Sequence, residues 1–331
     1  MVFRIDDKWT WDFWFAEVER ELHVFYLQAP KSLNDEQRRH RHATIGHAKS
    51  RNLLDWEVLP DPLGLGRLGE FDDLATWTGS VLRGPHQWYL FYTGISTRDD
   101  GQVQRIGVAT STDLVTFVRS GRPPLVADPQ WYELLAGSTE GEESWRDPWV
   151  FEDPNEMGTF HMLLTARVKY GPGDGRGVIA HATSRDLLEW TARAPLTEPG
   201  QLVGLEVPSL HYIAGRWRLF YCTHARWASE VRRRTSHAAL ETGTYYLTGD
   251  SPLGPFREGD KSLLLGKPYY AGRVIYWDNT WYLMAFVGSL TDGVFRGEIS
   301  SPMPLEVSAS GELIVTPPND VVMATSSGQT L

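Results

Sequence analysis

Residues 45–57, 106–118 and 179–191 read IGHAKSRNLLDWE, IGVATSTDLVTFV and IAHATSRDLLEWT, and they align without a gap. Each opens on a short alternating run of strand type, breaks at a serine (Ser50, Ser111, Ser184), and resumes in a second short segment that carries an aromatic residue. This is one hairpin used three times. An internal repeat decides the architecture ahead of local detail, because a small unit buries its apolar face only by stacking on copies of itself.

Outward from these hairpins, another apolar strand precedes each one: ELHVFYLQ around Phe25, QWYLFYTG around Phe91 and TFHMLLTA around Leu163. RWRLFYCT around Phe220 and TWYLMAFV around Met284 continue the series, giving five units of roughly 60 to 70 residues. The later hairpins diverge. TYYLTGDSPLGPF puts Pro and Gly where the serine turn stood, and GVFRGEISSPMPLEV occupies the corresponding place in the fifth unit. There is no long amphipathic helical pattern and no Pro- or Ser-rich linker. The expected fold is all-β, a five-bladed β-propeller, with residues 1–331 as a single domain.

With 41% hydrophobic and 22% charged residues, the 331-residue chain can bury a core, which excludes a disordered protein. The net charge of -10 disfavours nucleic acid and anionic membranes as partners and suits a small neutral ligand. Cys222, the one cysteine, lies in the apolar run RLFYC and reads as a buried thiol rather than a nucleophile. The start, MVFRIDDKWTWDFWF, lacks the basic and apolar stretches of a signal peptide, and no later run approaches a membrane span, so a soluble, cytoplasmic protein is expected. Fourteen Trp residues are well above ordinary usage; part of the excess is core, and flat aromatic faces also stack on sugar rings.

In a propeller the innermost strands converge on a central channel, so acids embedded in apolar segments of different units are the informative ones. Asp12 lies in KWTWDFWFA, Asp147 in ESWRDPWVF and Glu206 in GLEVPSLHYI. Each has a plain alternative: a turn aspartate where the chain enters the fold, an Asp-Pro turn, and a solvated glutamate at a strand start. Asp61-Pro62, Asp128-Pro129 and Asp153-Pro154 also occur, but only Asp147 stands in Arg-Asp-Pro directly before an apolar strand. Pro148 should hold it extended or in a turn, and Arg146 should favour its charged form. A Glu206 partly withdrawn from water suits a general acid.

These segments, in this order, resemble glycoside hydrolase families 32 and 68, the invertase, levanase and levansucrase group, whose fold is a five-bladed propeller. WDFWF resembles the nucleophile segment, FYLQAP with Gln28 the strand after it, and IGHAKSRNLLDWEVLP the next hairpin. WTGSV with Trp77 and Ser80 resembles a sugar-pocket segment, WRDPWVF the Arg-Asp-Pro motif, and LEVPSL the acid/base segment. The resemblance implies a furanoside, a β-fructofuranoside above all, as substrate, with Asp12 as nucleophile and Glu206 as acid/base. Asp147 with Arg146 would hold the furanose hydroxyls, and Trp11, Gln28, Trp77 and Ser80 would shape the sugar pocket. The anomeric configuration would be retained, which asks for a separation of about 5 to 5.5 Å between Asp12 and Glu206. No cofactor or metal is required.

The chain departs from family 32 at the nucleophile, where that family writes Asn-Asp-Pro-Asn-Gly and this chain Trp11-Asp12-Phe13-Trp14, closer to the Trp-Asp-Ser-Trp of family 68. The cluster Arg38-Arg39-His40-Arg41-His42 reads as a solvated loop near the channel mouth, with phosphate recognition as its functional alternative. Arg232-Arg233-Arg234 reads the same way, GPGDGRG from Gly171 as a hairpin loop, and His211, His224 and His237 as scattered histidines. Three other readings stay open: an inverting arabinan- or xylan-active enzyme of the family 43 type, a phosphorylase, and a catalytically silent glycan-binding propeller.

Overall fold

A computed structural model of the chain describes residues 2–318 apart from 237 and 291, so His237 lies outside the described residues. Five antiparallel sheets follow one another along the sequence. The first blade holds β1 (Lys8–Val18), β2 (Glu21–Pro30), β3 (Thr44–Ser50) and β4 (Glu57–Leu59). The second holds β5 (Ala75–Arg83), β6 (Trp88–Ile95), β7 (Arg105–Ser111) and β8 (Val118–Arg119), and the third β9 (Trp145–Glu152), β10 (Phe160–Arg167), β11 (Gly177–Ser184) and β12 (Thr191–Arg193). The fourth holds β13 (Glu206–Ile213), β14 (Arg216–Thr223), β15 (Gly243–Gly249) and β16 (Arg257–Gly266). The fifth is built from β17 (Tyr269–Trp277), β18 (Thr280–Ser289), β19 (Phe295–Ile299), β20 (Met303–Val307) and β21 (Leu313–Val315).

The first strand of each sheet faces the axis. β1 packs on β5, β5 on β9, β9 on β13 and β13 on β17, and β17 returns to β1, closing a ring of five. The ring is fastened at the seam: Phe3 exchanges two backbone hydrogen bonds with Ile299 at 2.8 and 2.9 Å, so the start of the chain covers an edge of the fifth blade. The architecture is the five-bladed β-propeller that the repeat predicts.

The three matching hairpins are β3–β4, β7–β8 and β11–β12, and their shared serine is a turn device. Ser111 Oγ accepts from the Leu114 amide at 3.0 Å and Ser184 Oγ from the Leu187 amide at 2.9 Å. The Asn or Asp two positions on accepts from the next two amides, as Asp113 does from Val115 and Thr116. The leucine at the tip, Leu53, Leu114 or Leu187, takes positive φ and is buried. In the fifth blade the third strand is split, since β19 and β20 pair with different parts of β18 and the break falls at Ser300–Pro302. Pro302 and Pro304 withhold two amides from the ladder there.

The loop readings divide. GPGDGRG does join β10 to β11, whereas Arg232–Arg234 sit on a short helix, α1 (Glu230–Thr235), capped by Ser229 and paired with Glu258, Glu230 and Asp174. The 38–42 cluster is a 3₁₀ segment, Glu36–His42, and is solvated as expected at Arg38, His40, Arg41 and His42 but not at Arg39. Arg39 is buried, with its guanidinium 5.5 Å from the Trp11 ring centre and 4.3 Å from that of Phe295.

Candidate active site

The five inner strands share a defect. Each is regular at both ends and carries one extra residue near the middle, where the register shifts between Trp11 and Phe13, Trp77 and Gly79, Arg146 and Trp149, Glu206 and Ser209, and Tyr270 and Arg273. A bulge turns its side chain out of the strict in-out alternation, and three of the five aim theirs, Asp12, Thr78 and Asp147, into one cleft. The extra residue is Asp12 in β1 and Thr78 in β5. In β9 and β13 it is part of the pairs Asp147-Pro148 and Val207-Pro208, and in β17 of Ala271-Gly272. At Gly79, behind the second bulge, a Cβ would lie 2.1 Å from the Phe91 carbonyl oxygen, so only glycine lets the strands approach.

Asp147, Val207 and Ala271 have φ of 60°, 54° and 49°. The Asp-Pro context predicts an extended or turn aspartate, and the left-handed conformation differs because neighbouring blades hold it there. The Asp147 amide donates to Thr93 Oγ1 at 3.0 Å, and its Oδ2 accepts from Thr165 Oγ1 at 2.8 Å and from the Val207 amide at 3.1 Å. A β-branched residue at positive φ costs on the order of 1–3 kcal/mol, and Val207 is kept there by its amide bonds to Asp147 and Thr165.

Asp12, Asp147 and Glu206 all line one axial cleft of about 460 Å³, together with Arg146, Trp11 and Trp77. Asp12 Oδ2 accepts from Thr78 Oγ1 at 2.8 Å. Glu206 is held from two sides, by Arg146 Nη2 at 2.9 Å and by the Tyr270 hydroxyl at 2.7 Å. His224 stacks on the Tyr270 ring, 4.7 Å between centres, and Trp227 stands edge-on to His224. His40 lies between Trp11 and Trp77, whose Nε1 donates to the His40 carbonyl at 2.7 Å.

Burial and crowded negative charge raise both aspartates of the cleft. Burial, then the negative charge of Asp147, pushes Asp12 up from the usual aspartate range to about 7, against the Thr78 hydrogen bond. Burial likewise raises Asp147, with Arg146 pulling the other way. That reverses the expected direction for Asp147, and the reason is that Arg146 is shared. Its Nη1 serves Gln104, Glu142 and Ser144 and its Nη2 serves Glu206, leaving only Nε for Asp147 at 3.6 Å.

Gln28 and Ser80 are not brought to the cleft. Strand alternation gives that face to Leu27, and Gln28 is buried on the other side, donating to Asp61 at 2.9 Å and accepting from Lys8 at 3.0 Å. Ser80 lies beyond the β5 bulge, and its Oγ accepts from the Val150 amide at 3.2 Å, tying the second blade to the third. Sequence reasoning missed Thr78, although it stands inside the quoted WTGSV: a bulge, not alternation, selects it. Tyr270 and Arg273 carried no acid or repeat to mark them. Cys222 is buried and its thiol is pushed up to about 12, which removes it as a nucleophile. Among the described residues no three His, Cys, Asp or Glu side chains form a metal-ligand set.

The profile of the glycosyl hydrolases family 32 N-terminal domain matches residues 14–317. The chain belongs to glycoside hydrolase family 32. The match begins just after Asp12, at the segment where this chain departs from the family's usual wording, and it includes Asp147 and Glu206. Among curated family 32 relatives, the chain is 26% identical over 180 residues to the sucrose-6-phosphate hydrolase of Bacillus subtilis (strain 168). That stretch is 54% of this chain and 32% of the relative, so it spans about a third of the relative's length. Solved structures share the fold. An inulosucrase from Halalkalicoccus jeotgali bound to kestose superposes with a TM-score of 0.79 at 22% identity, covering 95% of this chain and 88% of that one. The catalytic domain of a Microbacterium saccharophilum β-fructofuranosidase gives 0.76 at 16% identity, covering 96% and 82%. A levansucrase from Gluconacetobacter diazotrophicus gives 0.71 at 16%, covering 94% and 81%.

Proposed function

We propose that this family 32 propeller is a retaining glycosidase or glycosyltransferase acting on a β-fructofuranoside, with the whole propeller as one catalytic module. The observation that carries the reading is the convergence of Asp12, Asp147 and Glu206 on one cleft from three inner strands, the first two from within a bulge and Glu206 directly before one, with Arg146 between the last two. Asp12 attacks the anomeric carbon while Glu206 gives its proton to the leaving oxygen; the bond to the aglycone breaks with its electron pair on that oxygen. Water, or the hydroxyl of another sugar, then loses a proton to Glu206 and displaces Asp12, and two inversions leave the configuration retained. Asp147 and Arg146 hold the ring hydroxyls as the sugar flattens, and Trp11 and Trp77 supply apolar walls.

The names of the relatives, sucrose-6-phosphate hydrolase, β-fructofuranosidase and inulosucrase, support a fructoside over an arabinan or xylan. Arg226 and Lys267 line the cleft mouth, and among the described residues neither is within ion-pair distance of a carboxylate. A phosphorylated sugar therefore belongs among the test substrates. The experiment is release of reducing sugar from sucrose, sucrose 6-phosphate, inulin, levan and a set of arabinosides, beside Glu206→Gln. Fructose release that disappears in the variant is the expected result. Activity confined to arabinosides would move the enzyme to another substrate class, and silence throughout would leave a glycan-binding propeller.

A further inference from the structure

The fifth blade contributes no acid to the cleft, yet its bulge delivers two side chains to the centre of the molecule. Tyr270 precedes the bulge and donates to Glu206. Arg273 follows it and is almost fully buried, at 1% exposure. A buried guanidinium is costly unless its donors are used, so its partners show what the residue is kept for. Nε donates to the carbonyl of Phe13 at 2.9 Å; Nη1 donates to the carbonyl of Pro208 at 2.9 Å and lies 3.4 Å from that of Val207. The plane rests 5.5 Å from the Trp149 ring centre.

Those carbonyls are not arbitrary. Phe13 directly follows Asp12, and Val207 and Pro208 directly follow Glu206. One rigid fork thus ties the two short backbone segments that carry the proposed nucleophile and acid/base, across blades that are not held by any common ladder at that level. Resting on the fructosidase reading, we infer that Arg273 is a positioning residue: it fixes the distance between the Asp12 and Glu206 carboxyls from beneath the cleft and keeps a permanent positive charge under the acids.

A mere packing arginine would show a different pattern. Its donors would go to carbonyls anywhere on the seam, and its charge would be indifferent to the site. Here the charge acts on Asp147 and Asp12, and it opposes the upward push that burial gives Asp12. Nη2 has no hydrogen-bond partner among the described residues, so the fork keeps both Nη2 N–H groups uncommitted after the carbonyl contacts are made. Lysine cannot reproduce the fork, although it can reproduce the charge. That separates the two parts of the role.

The test uses Arg273→Lys and Arg273→Met in the full chain. In free protein with carboxyl-labelled aspartate, the Asp12 resonance, identified by its loss in Asp12→Asn, should titrate near its wild-type midpoint in the Lys variant. In the Met variant it should move upward by at least about half a pH unit. On the best fructoside found for the wild type, the Lys variant should lose about tenfold or more in kcat with KM little changed, because the loss is in geometry reached only in the transition state. A Lys variant with wild-type kcat would overturn the clamp, and an unmoved Asp12 midpoint in a folded Met variant would overturn the charge role. Should the Met variant fail to fold, the Lys variant's kcat and midpoint decide alone. Inactivity of the wild type on every fructoside would count against the fructosidase reading, while the substrate-free titration would still judge Arg273.

Discussion

The outer hairpins and the inner strands of the same blades obey opposite rules. At β3–β4, β7–β8 and β11–β12 the chain repeats one gapless pattern, and a serine, an Asn or Asp and a buried leucine build the same turn each time. At β1, β5, β9, β13 and β17 the position of the bulge repeats while the residue in it does not: Asp12, Thr78, Asp147, Val207, Ala271. Uniform sequence marks where the fold only needs to be closed. Varied sequence on a uniform backbone defect marks where the blades supply different parts: Asp12, Thr78 and Asp147 line the cleft from within their bulges, while Val207 and Ala271 are buried and the preceding residues, Glu206 and Tyr270, face it.

That contrast breaks if inner-strand changes act mainly on stability or hairpin changes mainly on turnover. The largest expected effects are at the carboxylates proposed for covalent chemistry. Asp12→Asn should lower kcat by about 10³-fold or more, and Glu206→Gln by about 10²–10⁴-fold on a substrate with a poor leaving group, both measured by fructose release with circular dichroism as the folding check. Asp147→Asn should cost about 10²–10³ in kcat with less change in KM, since its contribution grows as the ring flattens.

The same substitution sharpens the electrostatic part. Asp12 must be ionised to attack, so kcat/KM should fall below pH about 7. Asp147 raises Asp12, hence in Asp147→Asn the acid limb of the residual activity should shift to lower pH. An acid limb fixed in place would separate the limb from Asp12. Stability should respond in the complementary sense. A carboxyl whose folded value is raised from 3.8 to about 7 favours the folded state only while protonated, and that contribution is lost as pH climbs through the folded value. Asp12→Asn should therefore gain in Tm relative to the wild type between about pH 5 and about pH 8.

The smallest effects belong to the hairpins and to the two residues left outside the cleft. Ser111→Ala or Ser184→Ala should destabilise by about 1 kcal/mol and leave kcat and KM unchanged. Gln28→Met should act the same way, through the lost Asp61 and Lys8 hydrogen bonds, whereas a raised KM would return Gln28 to the sugar site.

Blade number was legible because three turns repeat and an apolar strand recurs five times, and the three acids because each interrupts an apolar segment. The finer site was not, for a physical reason. Strict alternation from Trp77 selects Gly79 and then Val81, whereas one unpaired residue in β5 brings Thr78 to the cleft; from FYLQAP nothing in composition says whether Leu27 or Gln28 faces inward. Tyr270 and Arg273 stand 64 and 260 residues from the groups they hold, Glu206 and Phe13, so no local pattern announces them. Within the solvated 38–42 cluster only Arg39 departs from expectation, because counting charge leaves out the aromatic faces of Trp11 and Phe295, which bury it.

The central claim is covalent catalysis by Asp12 with Glu206 as its proton partner, and trapping the intermediate tests it most directly. Glu206→Gln, incubated with a fructoside carrying a good leaving group and quenched in acid, should yield a hexosyl adduct on the peptide that contains Asp12, detected by mass spectrometry and absent from the Asp12→Asn, Glu206→Gln double variant. Turnover of the same substrate with no adduct, or an adduct on a different carboxylate, would contradict the account.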